Sequence, residues 1–176
     1  MKSINPEVWG PSGWKLIDRM SFAIKSLKDF AIFIKSLETI LPCNKCRINL
    51  SKHLAHLNMP QQVSHIPEWT YQLHQRVNKD LDKHTNITFN DVKALSKNFD
   101  KLEWIFICCI IDIHPGARYV HAHPKYLDGL TNFMNIVFKY TPELSSSGIV
   151  SYKYKTALKI WLRKNKSIIK FNECHA

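Results

Sequence analysis

The amino-acid sequence predicts an all-α protein. Apolar residues make up 45% of the 176 residues and only 5 residues are glycine, a composition that suits a packed helical fold. Apolar side chains recur at helical spacing along most of the chain, and we find no hairpin signal, internal repeat or low-complexity tract. We therefore expect a four-helix bundle, a short fifth helix and an added C-terminal helical segment.

Three helices are predicted ahead of a polar loop at 58–62. The first spans about 12–27 and the second about 29–41, where the apolar side chains fall on one face. The third begins at Pro42 or Cys43, because proline is tolerated in the first turn of a helix, and it ends near residue 57.

The fourth and fifth predicted helices follow that loop. The fourth spans 67–83, and its apolar face is formed by residues that recur every fourth position: Trp69, Leu73, Val77 and Leu81. Thr88 and Asp91 resemble a capping box that begins a fifth helix over 89–99. A bundle of this size fits a small helical domain.

The chain changes in character beyond residue 104, so we divide it into a domain of residues 1–104 and a C-terminal helical extension of residues 105–176. The apolar run 104–113 is too short to cross a bilayer and is interpreted as a buried helix. Two further helices are predicted near 124–140 and 152–165, separated by a loop rich in serine.

The net charge of +11 favours acidic partners, among them nucleic acid, an anionic membrane surface or a dinucleotide cofactor. Many basic residues lie near the C-terminus with no acidic residue between them: Lys153, Lys155, Lys159, Arg163, Lys164, Lys166 and Lys170. We expect the apolar face of the 152–165 helix to dock on protein, in preference to binding nucleic acid or membrane.

The N-terminus is polar and lacks the apolar core of a signal peptide. No apolar run is long enough to cross a bilayer. We expect an intracellular, cytoplasmic protein that is neither secreted nor membrane-spanning.

Cys43 and Cys46 lie three residues apart at the start of a predicted helix, where the helix dipole favours a thiolate. This is the arrangement of a redox dithiol. Cys108 and Cys109 are expected to be inert core residues of the apolar run. Cys174 has no neighbouring cysteine and is interpreted as a free thiol of the tail rather than an electron relay.

Half of a zinc site would have the same Cys-x-x-Cys spacing, but no second such pair and no correctly spaced Cys/His pair is present. His114, His121 and His123 suggest a metal site, but the His-x-His pair at 121 and 123 has no third ligand at helical spacing, so we expect no metal site. The redox interpretation is favoured, and a zinc-stabilised basic helical module that binds nucleic acid is the alternative.

His74, Asn78 and Leu81 are spaced by four and three residues on the fourth predicted helix. They form a stripe on one face that could lie against a flat heteroaromatic ligand. The alternative is a buried pair in which His74 and Asn78 satisfy each other.

Three motifs follow one another along the chain: WGPSGWKL at 9–16, LPCNKC at 41–46, and a helix with the pattern W-x4-H-x2-VN-x2-L-x-K at 69–83. In order and approximate spacing the chain resembles the ERV/ALR family of FAD-linked sulfhydryl oxidases over residues 9–104. The resemblance is closest to the short forms that large DNA viruses encode, which would place the protein in the host cytoplasm or the virion.

The resemblance implies an enzyme that oxidises the dithiols of proteins, either directly or through a thioredoxin-like carrier. Cys43 would form the mixed disulfide with the substrate and must then be accessible. Cys46 would lie against FAD and pass electrons to it, and dioxygen would be reduced to hydrogen peroxide. Members of the family are usually homodimers.

The resemblance also implies which residues contact FAD: Trp9, Gly10, Trp14, Asp18, His74, Val77, Asn78, Leu81 and Lys83. Lys83 suits a phosphate, and the aromatic residues suit stacking on adenine or flavin. Trp9 and Gly10 would shape the entrance to the first helix.

Two residues depart from the family pattern. Asp18 stands where members usually have histidine, and Gln75 stands where they usually have asparagine. An aspartate cannot stack on adenine as an imidazole does, and its charge repels phosphate. We expect either a rebuilt cofactor contact at Asp18 or weaker binding of FAD.

Overall fold

The computed structural model describes residues 3–83, 85–96, 103–113 and 124–141, and every regular element in them is a helix. The all-α prediction is confirmed. The elements are α1 (Pro6–Ala23), α2 (Leu27–Ile40), α3 (Asn44–His56), a 3₁₀-helix (Val63–His65), α4 (Ile66–Asp80), α5 (Phe89–Leu95), α6 (Glu103–Asp112) and α7 (Pro124–Tyr140).

Several predictions concern residues outside these ranges. They are the helix over 152–165 with the basic residues around it, the tail cysteine and three histidines: Cys174, His114, His121 and His123. The side chain of Cys108 also lies outside the described part of the chain. Cys109 is fully buried in α6, as predicted.

The first helix begins at Pro6, well before the predicted start at residue 12. Asn5 caps it by accepting a hydrogen bond from a backbone N–H at 3.1 Å, and proline suits the first helical position. Pro11 lies inside the helix and follows Gly10, which has no Cβ to clash with the proline ring. The prediction was wrong here because a Gly-Pro pair disfavours helix locally, whereas burial of Trp9 in the core favours it.

The other helices differ from prediction mainly at their ends. α1 ends at Ala23 because Ser26 caps α2, accepting a hydrogen bond from the backbone N–H of Asp29 at 3.3 Å. α4 ends at Asp80 and α5 at Leu95, both earlier than predicted. The capping box of Thr88 and Asp91 is present in α5, and α7 has the predicted bounds.

Four fully buried phenylalanines join the early helices to the late ones: Phe30, Phe33, Phe106 and Phe133. Phe33 of α2 stacks on Phe133 of α7 with ring centroids 5.2 Å apart, and Phe106 of α6 meets the same ring at 5.9 Å. α7 packs along α2, and α6 packs along α1. The described helices therefore share one hydrophobic core.

Two features fix α7 on α2. A Cβ at Gly129 would lie 1.9 Å from Thr39 Oγ1, so the two helices cross too closely there for a larger residue. Asp29 accepts hydrogen bonds from Lys139 Nζ at 2.6 Å and from the hydroxyl of Tyr140 at 2.7 Å. These two donors, the lysine first, lower the pKa of Asp29.

The predicted domain boundary at residue 104 falls inside α6 and stays a prediction.

Candidate functional site

A cavity of about 480 Å³ lies among α1, α2, α3, α4 and α5, and its volume is in the range of small-molecule sites. All nine residues predicted to contact a cofactor line it: Trp9, Gly10, Trp14, Asp18, His74, Val77, Asn78, Leu81 and Lys83. Cys46 lines it as well, whereas Cys43 does not. The structure thus brings together side chains that three separate motifs contribute.

Cys43 and Cys46 form a disulfide at the first turn of α3. Cys43 is the N-cap residue, and its Sγ accepts a hydrogen bond from the backbone N–H of Cys46 at 3.2 Å. Arg47 braces the turn by donating to the carbonyl oxygen of Leu41 and, at 3.3 Å, to Asn44 Oδ1. Burial lowers the pKa of the Arg47 guanidinium. The dithiol therefore sits at the positive end of a helix whose start is held in place.

Cys43 is only 8% exposed, although we expected it to be the accessible cysteine, and Cys46 is the less buried of the two. The N-terminal segment lies alongside the residue that precedes Cys43. The backbone N–H of Ile4 donates to the carbonyl oxygen of Pro42 at 2.7 Å, and Ser3 Oγ donates to the same oxygen at 3.4 Å. The expectation of an open Cys43 was wrong, since its side chain is buried and the N-terminal segment is bonded to the residue before it.

Trp14 and His74 stack on each other across the α1–α4 contact. Their ring centroids are 3.9 Å apart and their planes differ by 7°. No ring can lie between them at that spacing, so a flat ligand would lie on an outer face of the stack. Asn78 donates to Thr85 Oγ1 at 3.5 Å, and the buried His74–Asn78 pair that we considered is therefore wrong.

Asp18 lies beside this stack and is 9% exposed. Its Oδ2 is 3.6 Å from His74 Nδ1, an ion-pair distance that is too long for a hydrogen bond. Its Oδ1 is fully buried and has no hydrogen-bond partner among the described residues. The residue that departs from the family pattern thus carries an unsatisfied acceptor on the cavity wall.

A sequence model of the Erv1/Alr family matches residues 12–101, about half of the chain. The chain belongs to the Erv1/Alr family. A protein of Acanthamoeba polyphaga mimivirus, named as a probable FAD-linked sulfhydryl oxidase, is 27% identical over 119 residues, which are 59% of this chain and 83% of that protein. The chain matches no solved structure. The predicted resemblance to the family and to viral members is confirmed.

In this Erv1/Alr chain the end of α4 supplies the cavity rim. Asp82 has a φ of 52°, and the backbone N–H groups of Asp82 and Lys83 donate to the carbonyl oxygens of Lys79 and Asn78. This is a Schellman motif, and it ends the helix before Leu81 and Lys83. Both residues therefore reach the cavity from a turn and are exposed, rather than from the helical face that we predicted.

Other residues of the cavity were not predicted from the sequence. His53 of α3 lines it and pairs with Asp80 of α4, with Nε2 and Oδ2 3.2 Å apart. His53 follows Cys46 by two helical turns, a spacing that could have indicated a shared face. Ile87 and Leu95 line the rim while 44% and 58% exposed, and no periodicity marks them.

Among the described residues, no group of three or more His, Cys, Asp and Glu side chains is arranged to hold a metal ion. No helix in the same part of the chain combines the length and apolar character that a membrane span requires.

Proposed function

We propose that this chain is an FAD-linked thiol oxidase, which converts protein dithiols to disulfides and passes the electrons to dioxygen. The observation that carries the proposal is the Cys43–Cys46 disulfide at the N-terminus of α3, with Cys46 in the wall of the cavity. A dithiol must exchange with a substrate on one side and deliver electrons on the other. Cys46 lines the cavity and Cys43 does not, which supports assigning Cys43 to the exchange with substrate.

The cavity residues fit a flavin nucleotide. Aliphatic and aromatic side chains form most of the wall and suit a flat ring. Lys15 and Lys83 line the cavity and suit the anionic phosphates. A Cβ at Gly10 would meet nothing within 4 Å, so space remains open at the start of the first motif. The orphaned Oδ1 of Asp18 is suited to an N–H or O–H group of a ligand.

Exchange begins when a thiolate of the substrate attacks Cys43 Sγ. The Cys43–Cys46 bond breaks, a mixed disulfide forms between substrate and Cys43, and Cys46 leaves as a thiolate. The second substrate thiolate then attacks the substrate sulfur of the mixed disulfide and expels Cys43 as a thiolate. The substrate has lost two electrons to the pair, and both of its thiols have lost a proton.

The position of Cys43 favours this second step. Its sulfur already accepts the Cys46 N–H at 3.2 Å and faces the positive end of α3. Both interactions strengthen when the sulfur becomes negative, so Cys43 is a good leaving group.

Cys46 faces the cavity and delivers the electrons there. FAD, when bound, accepts two electrons from the dithiol and passes them to dioxygen, giving hydrogen peroxide. Loss of the two electrons re-forms the Cys43–Cys46 bond.

The substrates, location and assembly state belong to the same proposal. The resemblance supports protein dithiols, delivered directly or by a thioredoxin-like carrier, as substrates, and a cytoplasmic homodimer as the working form. A basic tail that contacts nucleic acid or anionic membrane is not favoured. The zinc-stabilised alternative is also less favoured, because zinc binds thiolates and both cysteines of the pair are in a disulfide.

The proposal is tested by colour and oxygen uptake. The purified full chain should be yellow and should consume dioxygen with dithiothreitol as the reducing substrate. Cys43→Ser should abolish oxygen uptake while FAD stays bound, because the cavity wall is intact. Cys174→Ser is the matched control and should keep the wild-type rate with this small dithiol. A colourless wild-type protein that binds no added FAD would refute the proposal.

A further inference from the structure

The helix α3 separates the cavity from solvent. On one side it contributes four residues to the cavity wall: Cys46, Asn49, Leu50 and His53. Its exposed residues recur at helical spacing on the opposite side, which we call the outer face of α3: Asn44, Lys45, Ile48, Ser51, Lys52, Ala55 and His56. The outer face begins at the turn that holds the Cys43–Cys46 disulfide.

Ile48 is the unusual residue of the outer face. Four large apolar side chains are exposed in the described part of the chain, and three of them line the cavity: Leu81, Ile87 and Leu95. The fourth is Ile48, which is 51% exposed and does not line the cavity. A single exposed apolar residue is common on protein surfaces, so the role of Ile48 depends on its neighbours.

The neighbours of Ile48 on the outer face are cationic. Lys45 lies three positions before it and Lys52 four positions after it, one helical turn away on either side, and both are exposed. The helix contains no acidic residue, and neither lysine forms an ion pair with another described residue. The net charge of +11 adds a long-range attraction for acidic partners. An acidic segment with an apolar side chain therefore complements this face.

The spacing along α3 indicates where those side chains would stand in the partner. With a rise of 1.5 Å per residue, Ile48 lies about 7 Å and Lys52 about 13 Å beyond Cys43 along the helix axis. An extended segment advances about 3.3 Å per residue. A segment whose cysteine is at Cys43 would thus meet Ile48 about two positions and Lys52 about four positions from that cysteine.

We infer that the outer face of α3 binds the protein substrate and selects dithiols in acidic segments. Ile48 contacts an apolar side chain near the substrate cysteine, and Lys52 pairs with an acidic one farther along. Cys43 is 8% exposed, so a substrate held beside this turn gains more than a small thiol that meets it by diffusion. This inference rests on the proposed function.

Two reduced peptides with the same Cys-x-x-Cys dithiol test the inference on the full chain loaded with FAD. Both carry leucine two positions outside the dithiol on each side, and four positions outside it one carries glutamate and the other lysine. From oxygen uptake, kcat/KM of the wild type should favour the glutamate peptide by about 5-fold or more at low salt, the usual effect of two exposed ion pairs. The preference should shrink in 1 M salt, where the Debye length is about 3 Å.

Substitutions on the outer face should change this preference. Lys52→Glu should remove or reverse it, and Lys52→Gln, which removes the charge without reversing it, should give an intermediate ratio. Lys93→Glu is the matched control, since Lys93 is exposed on α5 and its reversal changes the net charge equally. Its ratio should match the wild type. Ile48→Ser should raise KM for both peptides and leave their ratio unchanged.

Three results would overturn the inference. Equal wild-type rates with the two peptides would show no selection, and an equal loss of preference in Lys52→Glu and Lys93→Glu would assign it to net charge. A wild-type dimer in gel filtration that Ile48→Ser dissociates, with unchanged KM for both peptides, would make the outer face a contact between two copies. Absence of dithiothreitol oxidation by the wild type would refute the proposed function, whereas its presence without a peptide preference refutes only the role of the outer face.

Discussion

Replacing Gly129 with alanine tests how closely α7 is held against α2. The added Cβ would lie 1.9 Å from Thr39 Oγ1 and 3.2 Å from Ile40 Cγ2, both too short for unchanged packing. Thr39 would have to rotate. Its hydroxyl donates to the carbonyl oxygen of Ser36 at 2.9 Å, and rotation breaks that hydrogen bond.

The expected loss follows from three effects. Alanine is better than glycine inside a helix by about 1 kcal/mol. Loss of the Thr39 hydrogen bond costs about 1 kcal/mol, and overpacking costs about 1–3 kcal/mol. The unfavourable effects exceed the favourable one, so Gly129→Ala should reduce the free energy of unfolding by about 1–3 kcal/mol. For a chain of this size each kcal/mol lowers Tm by about 2–4 °C.

Urea unfolding followed by circular dichroism measures the effect, and a double-mutant cycle locates it. In a Thr39→Ala background the hydroxyl is absent, so Gly129→Ala should cost at least about 1 kcal/mol less than in the wild type. A wild-type or higher stability of Gly129→Ala, or an equal cost in both backgrounds, would refute the close crossing of α2 and α7.

Two further predictions concern the N-terminal segment and the α2–α7 ion pair. Ile4→Pro removes the N–H that binds the carbonyl oxygen of Pro42, so oxidation of a protein dithiol should become faster while the rate with dithiothreitol changes less. Ile4→Val keeps the N–H and should match the wild type. An unchanged rate with the protein dithiol in Ile4→Pro would contradict the covering of Cys43. Because the pKa of Asp29 is lowered in the fold, its contribution to stability is present above its unfolded pKa of about 4 and is lost as pH falls through the lower folded pKa. Asp29→Asn should therefore be less stable than the wild type at pH 7 and equally stable in strong acid. A difference in stability that did not shrink with falling pH would reject the ion pair as its source.

Local patterns predicted the presence of most helices, and the resemblance of motifs predicted the residues of the cavity. Helical periodicity and capping residues are local properties, so α5 and α7 could be located from the sequence. The nine cofactor-contact residues were predicted through the resemblance of motifs, and the structure places all of them on one cavity. The start of α1 could not be predicted, because tertiary packing of Trp9 overrides a locally unfavourable Gly-Pro pair.

Contacts between segments that are distant along the chain could not be predicted from the sequence. Residues 3–4 donate hydrogen bonds to Pro42, which is far away in sequence and directly precedes the buried Cys43. The requirement for glycine at position 129 comes from a helix almost a hundred positions earlier. Asp18 was recognised as unusual from the sequence, but whether its oxygens have donors depends on three-dimensional geometry, which composition and spacing do not contain.

The sulfur of Cys43 caps α3, and in the proposed function it also exchanges electrons, so the folding of α3 and the oxidation state of the cysteine pair are linked equilibria. A thiolate caps a helix better than a neutral sulfur, by about 0.3–1 kcal/mol. Reciprocity requires that a change which stabilises this turn more in the thiolate state than in the disulfide state also makes the pair a stronger oxidant. Asn44 and Arg47, which brace that turn without exchanging electrons, thereby become positions at which substitution can tune the driving force for substrate oxidation.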